Sequence, residues 1–352
     1  MKELIKIKVK TKKPYWVYIK ENLIFSAGEI IKKTAKGKKA CVVTDDVVAP
    51  LYLETLKTSL QNSGFSVFTK IIKSGEKSKN FTNYQSIVNY LAENEFTRKD
   101  FIVALGGGVV GDLAGFCSST FLRGIDFYQV PTTLLSSVDS SVGGKTAIDL
   151  DCGKNLLGAF HQPTLVICDV NIIKNLPKEV FDCGMGEVLK YAVLDKKIYL
   201  ELIKEELDLK KVIALSVKYK NKIVSKDEFE NNLRKLLNLG HTPAHAIEKL
   251  SNYSISHGEA VSMGLKIMLE FSKNNAFISN KDYEKLVRLI DSKIALTEIS
   301  FTAEELKTAS LNDKKRTGNF LDLVVPMGIG KAKIIKIATD LLAKVFNGSK
   351  IN

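Results

Sequence analysis

Phe101-Ile102-Val103-Ala104-Leu105-Gly106-Gly107-Gly108-Val109-Val110-Gly111-Asp112 is the stretch that decides the fold of this chain. Five apolar residues read as a strand, and the run passes directly into glycines and then into an apolar helical pattern. Gly106, Gly108 and Gly111 fall at Gly-x-Gly-x-x-Gly spacing. Glycines there let the backbone approach a pyrophosphate, and a helix N-terminus favours its negative charge. A tight strand-to-helix turn accounts for the same pattern. The acidic ribose partner expected about twenty residues later is also missing, since that region reads Phe127-Tyr128-Gln129-Val130-Pro131. An earlier strand end, Thr44-Asp45-Asp46, offers a carboxylate instead.

Working outward, further strands are predicted at Ala40–Thr44, Phe65–Ile71, Phe127–Val130 and Leu165–Asp169, with amphipathic stretches such as Asn83–Glu93 between them. Strands interleaved with helices indicate a doubly wound, mostly parallel sheet. From about Pro177 the pattern becomes helical: Phe181–Leu194, Leu200–Ile223, Leu233–Leu250, Ala260–Asn274 and Lys281–Ile290. The expectation is an α/β domain over residues 1–175 and an all-α domain over residues 176–352. A length of 352 residues fits two cores.

Composition narrows the function. Hydrophobic content of 45% and charged content of 26% describe an ordinary globular chain. The net charge of +13 comes mostly from lysines scattered among acids, without the aromatic interleaving or module of a nucleic-acid binder. Such a surface is compatible with an anionic small substrate. Only five arginines occur, Arg98, Arg123, Arg234, Arg288 and Arg316. In so lysine-rich a chain they point to planar, bidentate anion binding. Five cysteines with no Cys-x-x-Cys pair fit a reduced, cytoplasmic protein. No signal-peptide core or membrane-length apolar stretch is present.

Two further regions carry chemistry. Pro131–Thr146 crowds hydroxyls, Asp139, two glycines and Lys145 into one segment, a composition typical of loops that bind phosphate or sugar hydroxyls. His161, before a Gln-Pro turn, reads as structural. In the second half, Gly184-Met185-Gly186-Glu187-Val188-Leu189-Lys190-Tyr191 opens a helix with an acid and a base three residues apart. A surface ion pair is one reading; an inward-facing Glu187 needing a partner is the other. Two of the four histidines, His241 and His245, fall four residues apart, and His257 follows. Glu187, His241 and His257 would together give one carboxylate, two imidazoles and an open position, a catalytic zinc pattern. Arg234, Asn238 and His241 recur at helical spacing and build one polar face.

These motifs, in this order from about residue 40 to residue 330, resemble the 3-dehydroquinate synthase family of sugar-phosphate cyclases. The resemblance rests on Gly106–Asp112, Leu122–Asp126, Pro131–Lys145, Gly153–Asn155, Gly186–Tyr191, Asp227–His245, His257–Ala260 and Asp313–Lys315. It implies NAD in the first domain and a divalent metal, zinc or alternatively cobalt, on Glu187, His241 and His257. The implied NAD residues are Asp45, Glu76, Lys79, Gly107, Gly108, Asp112, Thr132, Thr133, Asp139 and Lys154. The implied substrate, 3-deoxy-D-arabino-heptulosonate 7-phosphate, would be met by Arg123, Lys145, Asn155, Lys190, Lys220, Arg234, Asn238, Lys314 and Lys315. Glu230 and His245 would take acid–base roles, with Arg123, Lys145 and Asn155 also at the reacting centre. A homodimer is the implied assembly. The implied chemistry is transient oxidation of an alcohol, phosphate elimination, reduction, ring opening and aldol closure.

Some positions depart from the family pattern: Asn175, Gly186, Asn232, Pro243 and Ala244. Pro243 matters most, because proline is accommodated only in a helix's first turn. A helix beginning near Thr242, capped by His241, would allow it. The rivals are a cyclase making a valiolone or an inosose, and a metal-dependent polyol or glycerol-phosphate dehydrogenase that would release NADH. A basic nucleic-acid binder with structural zinc would need thiolate ligands or a recognition module, and the chain offers neither.

Overall fold

A computed structural model describes residues 3–311, 316–317 and 319–351. Its contacts divide the chain into two compact units. One holds Met1–Leu176 with Lys220–Glu228, the other Pro177–Tyr219 with Phe229–Asn352.

The first unit is built from β1 (Ile5–Val9), β2 (Tyr15–Lys20), β3 (Lys39–Asp45), β4 (Ser66–Ile72), β5 (Phe101–Gly106), β6 (Asp126–Pro131), β7 (Lys145–Leu150), β8 (Gly153–Phe160) and β9 (Leu165–Asp169). Seven of them form one sheet in the order β1-β2-β9-β6-β5-β3-β4. Only the β1–β2 pair is antiparallel. All six residues of β5 are buried. Side chains alternate across a strand. Ile102 and Ala104 therefore join Cys41, Val43, Ile87, Leu91 and Leu113 in a core under the helices Phe81–Glu93 and Gly108–Thr120. The chain runs from β3 outward to β4 and then returns to place β5 on the other side of β3. That reversal is the switch point at which open α/β sheets bind ligands, at the carboxyl ends of their strands. Asp45, Gly106 and Pro131 end β3, β5 and β6 there.

The Pro131–Lys145 segment contains a short turn of helix, Ser136–Ser140, and is followed by a β7–β8 hairpin that the polar composition did not announce. β8 is mostly exposed, so it lacks the apolar alternation by which a half-buried strand is read.

The second unit is helical, with helices at Lys178–Leu194, Lys196–Leu202, Leu209–Val224 (its last turn grouped with the first unit), His241–Leu250, His257–Asn274, Asn280–Lys293 and Ala303–Ser310. It adds an antiparallel sheet of Arg316–Thr317, Phe320–Gly328 and Lys331–Ala338 that the helical reading of residues 176–352 did not include. Two predicted helices are each interrupted. Leu200–Ile223 breaks after Leu202 and restarts near Asp208, whose carboxylate accepts from the Lys211 amide at 3.1 Å. Leu233–Leu250 becomes a 3-10 turn, Leu233–Asn238, and a separate helix, because Gly240 takes a left-handed φ of 77°. That glycine starts the helix at His241, so Pro243 falls in the first turn and sits without a clash.

Candidate metal centre and nucleotide site

Three helices of the second unit converge on one carboxylate. Lys178–Leu194 and His257–Asn274 cross where two glycines meet. A Cβ on Gly186 would lie 2.1 Å from the Gly258 carbonyl oxygen, and one on Gly258 would lie 1.9 Å from that of Cys183. This close approach brings the next residue of one helix, Glu187, to the first residue of the other, His257. His257 Nε2 is 2.9 Å from Glu187 Oε1, and His241 Nε2 is 3.3 Å from the same oxygen. Ligand atoms of the three residues all lie within 4.8 Å of one another. The other ring nitrogens are committed elsewhere: His241 Nδ1 is 3.1 Å from the Leu239 carbonyl oxygen, and His257 Nδ1 is 3.2 Å from Glu248 Oε1. With Nδ1 held by an acceptor, Nε2 of each ring faces the shared carboxylate. Two imidazoles and a carboxylate arranged in this way fit one divalent cation, with the outer hydrogen bonds that orient metal-bound histidines already in place.

The electrostatics follow from burial. Burial works against ionisation of Glu187, but Lys190 and His241 outweigh it and hold the carboxyl well below its usual range. Lys190 lies against the second carboxylate oxygen of Glu187, and both side chains are almost wholly buried. The surface ion-pair reading of this couple is therefore replaced by an internal one. Burial lowers His241 to about 4. Burial also opposes protonation of His257, but hydrogen bonds to Glu187 and Glu248 raise it to about 10. His245 stands one turn beyond His241, with ring centroids 5.6 Å apart, and is exposed. Nearby, Arg234 is buried on the 3-10 turn, and Asn238 Nδ2 donates to Glu230 Oε1 at 2.7 Å. Lys314 and Lys315 lie outside the described residues.

A second cluster sits at the strand ends of the first unit. Lys79, buried, has Glu76 Oε1 at 2.7 Å, Asp112 Oδ2 at 3.4 Å and Asp149 Oδ1 at 3.9 Å. Gly107 caps the Gly108–Thr120 helix, and the Thr132 amide donates to the Gly106 carbonyl at 3.0 Å. Thr132 Oγ1 is buried with no hydrogen-bond partner among the described residues. A helix N-terminus, an orphaned hydroxyl and a row of carboxylates suit the phosphates and ribose hydroxyls of a dinucleotide. Thr133 Oγ1 lies 2.8 Å from Ser136 Oγ, and Asp45 accepts the Val47 and Val48 amides. Lys220 donates to the Asp139 carbonyl oxygen at 2.7 Å and pairs with its carboxylate at 2.9 Å. A residue expected to meet substrate and one expected to meet NAD therefore bind each other. Lys145 begins β7, and Lys154 and Asn155 lie near the start of β8. Arg123 and Asn155 are both exposed with φ of 67° and 55°. His161 stacks on Phe127 and reaches the Ile125 carbonyl at 3.0 Å, a structural role.

Two participants escaped the sequence reading. Asp149 joins the Lys79 cluster and accepts the Asn155 amide at 2.7 Å, tying the hairpin to the nucleotide end of the sheet. Glu248 joins the metal cluster. Its signal was its spacing, seven residues after His241 and thus on the same helix face.

An α/β unit suited to a dinucleotide and a helical unit suited to a divalent metal define a class of NAD- and metal-dependent enzymes. The solved structure of a 2-deoxy-scyllo-inosose synthase, complexed with carbaglucose-6-phosphate, NAD+ and Co2+, matches with a TM-score of 0.87 at 21% identity, covering 99% of this chain and 100% of that one. A 2-epi-5-epi-valiolone synthase from Streptomyces hygroscopicus, with NAD+ and Zn2+ bound, matches with a TM-score of 0.83 at 21% identity over 94% and 95% of the two chains. At that identity these likenesses establish the fold. The chain belongs to the 3-dehydroquinate synthase family: the family's N-terminal model matches residues 69–183 and its C-terminal model residues 184–316. A 3-dehydroquinate synthase of Thermoanaerobacter sp. (strain X514) is 40% identical over 342 residues, covering 94% of this chain and 96% of the relative.

Proposed function

We propose that this chain converts 3-deoxy-D-arabino-heptulosonate 7-phosphate to 3-dehydroquinate and phosphate, using NAD and a divalent metal. The observation that carries the reading is the convergence of His241 and His257 on one oxygen of Glu187, in a chain 40% identical to a synthase of that name. The inosose and valiolone synthases share the fold at only 21% identity, which favours the dehydroquinate product over theirs.

When bound, NAD supplies a hydride acceptor that later returns the hydride, and the cation supplies positive charge against a developing oxyanion. The remaining work falls to side chains. Glu187, His241 and His257 hold the cation, zinc or cobalt. Asp45, Glu76, Lys79, Asp112, Asp139 and Lys154, with the backbone and hydroxyls at Gly107, Gly108, Thr132 and Thr133, hold the dinucleotide. Arg123, Lys145, Asn155, Lys190, Lys220, Arg234 and Asn238 bind the sugar phosphate, Arg234 offering a planar fork to an anion. Lys314 and Lys315 complete this set. His245, exposed beside the metal ligands, moves protons at substrate hydroxyls together with Glu230. Elimination needs few dedicated bases, because the departing phosphate can accept the proton itself. We place residues 1–175 and 176–352 as the nucleotide and metal domains, and the enzyme in the cytoplasm as a homodimer. No helix among the described residues is long and apolar enough to cross a membrane.

The test is to incubate purified protein with the heptulosonate phosphate, substoichiometric NAD and Zn2+. Phosphate release well in excess of the added NAD, without net NADH, supports the cyclase; conversion of the added NAD to NADH with no further turnover overturns it in favour of a dehydrogenase.

A further inference from the structure

The two imidazoles of the metal cluster are held by different means. The His241 ring is fixed through Nδ1 by a backbone carbonyl, that of Leu239. Such an anchor cannot be lost while the local fold persists. The His257 ring has only a side chain in that place, Glu248 Oε1 at 3.2 Å. His257 is also the first residue of its helix, and its side chain is about one-third exposed (31%). Packing therefore confines it less than a core side chain. Glu248, by contrast, is buried on the helix that carries His241, two turns further along the same face. One helix thus contributes a ligand directly and reaches the second imidazole ligand through a carboxylate.

We propose that Glu248 is a positioning residue of the metal centre: it holds the His257 ring so that Nε2 faces Glu187. This rests on reading Glu187, His241 and His257 as metal ligands. A carboxylate behind a metal-bound imidazole fixes both its tautomer and its orientation, and loss of such a partner weakens metal binding by about 10–100-fold. A purely structural carboxylate at this point would support the end of the helix instead. Among the contacts that close the helix there, Ser251 Oγ and the Tyr253 amide donate to the Glu248 carbonyl.

The experiment measures Zn2+ affinity by competition with a chromophoric chelator, for the full chain and for Glu248→Ala, Glu248→Gln, His257→Ala and the Glu248→Ala/His257→Ala double variant. Circular dichroism and thermal unfolding of the metal-free proteins establish folding. Glu248→Ala is expected to bind Zn2+ about 10–100-fold more weakly, and Glu248→Gln less weakly, since its amide oxygen still accepts a hydrogen bond. In the His257→Ala background the Glu248 substitution is expected to add nothing. Wild-type affinity in Glu248→Ala overturns the proposal, as does the same fold-loss with and without His257. Should Glu248→Ala fail to fold, Glu248→Met, similar in size but without the oxygen that accepts from His257, carries the test, and wild-type affinity there overturns the proposal. If the unaltered chain and His257→Ala bind Zn2+ equally, the metal reading itself fails, a result distinct from the failure of Glu248 alone.

Discussion

The two buried clusters are electrostatic opposites. At the strand ends of the α/β unit one cation, Lys79, is ringed by three carboxylates. In the helical unit one carboxylate, Glu187, is ringed by a lysine and two imidazoles. The first gathers three carboxylates around Lys79, a concentration of acceptors that hydroxyl donors complement. The second gathers Nε2 atoms of two rings on one oxygen, which a cation complements. Each cluster is thus incomplete in the direction of the group it would hold. The Glu187 cluster is also the more deeply buried, so breaking it costs more.

The sharpest way to break the comparison is Glu187→Gln. The substitution leaves Lys190 charged and buried, and removing one partner of such a pair costs about 3–5 kcal/mol. Denaturant unfolding is expected to show that loss in the metal-free protein, with loss of tight Zn2+ binding besides. A variant as stable as the parent would mean that Lys190 finds another acceptor and that the cluster is not organised around Glu187.

His245→Ala separates chemistry from ligation within the helical unit. Zn2+ content is expected to be unchanged, while turnover falls by about 10²–10⁴-fold, the usual weight of a positioned acid–base group. His257→Ala is expected to lose the metal sharply. Equal metal loss in both variants would overturn the division between a ligand and a proton carrier.

On the α/β side, Lys79→Met removes the ammonium that contacts Glu76, Asp112 and Asp149 together. Weaker NAD binding, by about 1.5–3 kcal/mol, is expected from losing its charged hydrogen bonds, and calorimetric titration with NAD measures it. Unchanged affinity would place the nucleotide away from this cluster.

How much of this was legible in the sequence follows from where the information sits. β5 and its glycine turn were readable because strand, turn and helix are contiguous, and each leaves a local pattern. Glu187 was readable as inward-facing because its neighbours Met185, Val188 and Leu189 are apolar, and all three are buried. The break at Gly240 was not, because apolar residues continue at helical spacing across it and a left-handed φ leaves no mark beyond the glycine itself. The β7–β8 hairpin, just after the segment read as a binding loop, was not read as strands, since its exposed second strand shows no alternation. Asp149 and Glu248 were missed for a different reason. Their roles depend on partners brought close by folding: Lys79, seventy residues before Asp149, and His257 across a helix boundary from Glu248.

A change of pH sharpens the contrast further, because Asp112 and Glu187 carry opposite slopes. Burial raises Asp112 from 3.8 to about 6, with Lys79 opposing the rise and Glu76 adding to it. Between those values the folded chain keeps a proton that the unfolded chain has lost. Its contribution to stability therefore declines as pH rises through that window and levels off above it. Asp112→Asn has no such proton, so the difference in unfolding free energy between parent and variant should fall from pH 4 to pH 6 and then stay flat. Glu187 behaves in the reverse sense. Its carboxyl is held well below the usual range despite burial, because Lys190 and His241 stabilise the charge. Its stabilisation is full above the unfolded value and is lost as pH falls toward the folded one. Denaturant titrations of the metal-free parent, Asp112→Asn and Glu187→Gln from pH 3 to pH 7 read both slopes together. A parent–Asp112→Asn difference that rises with pH would mean that Lys79 outweighs burial at Asp112. The two clusters would then be alike in sign, each a charge-stabilised centre.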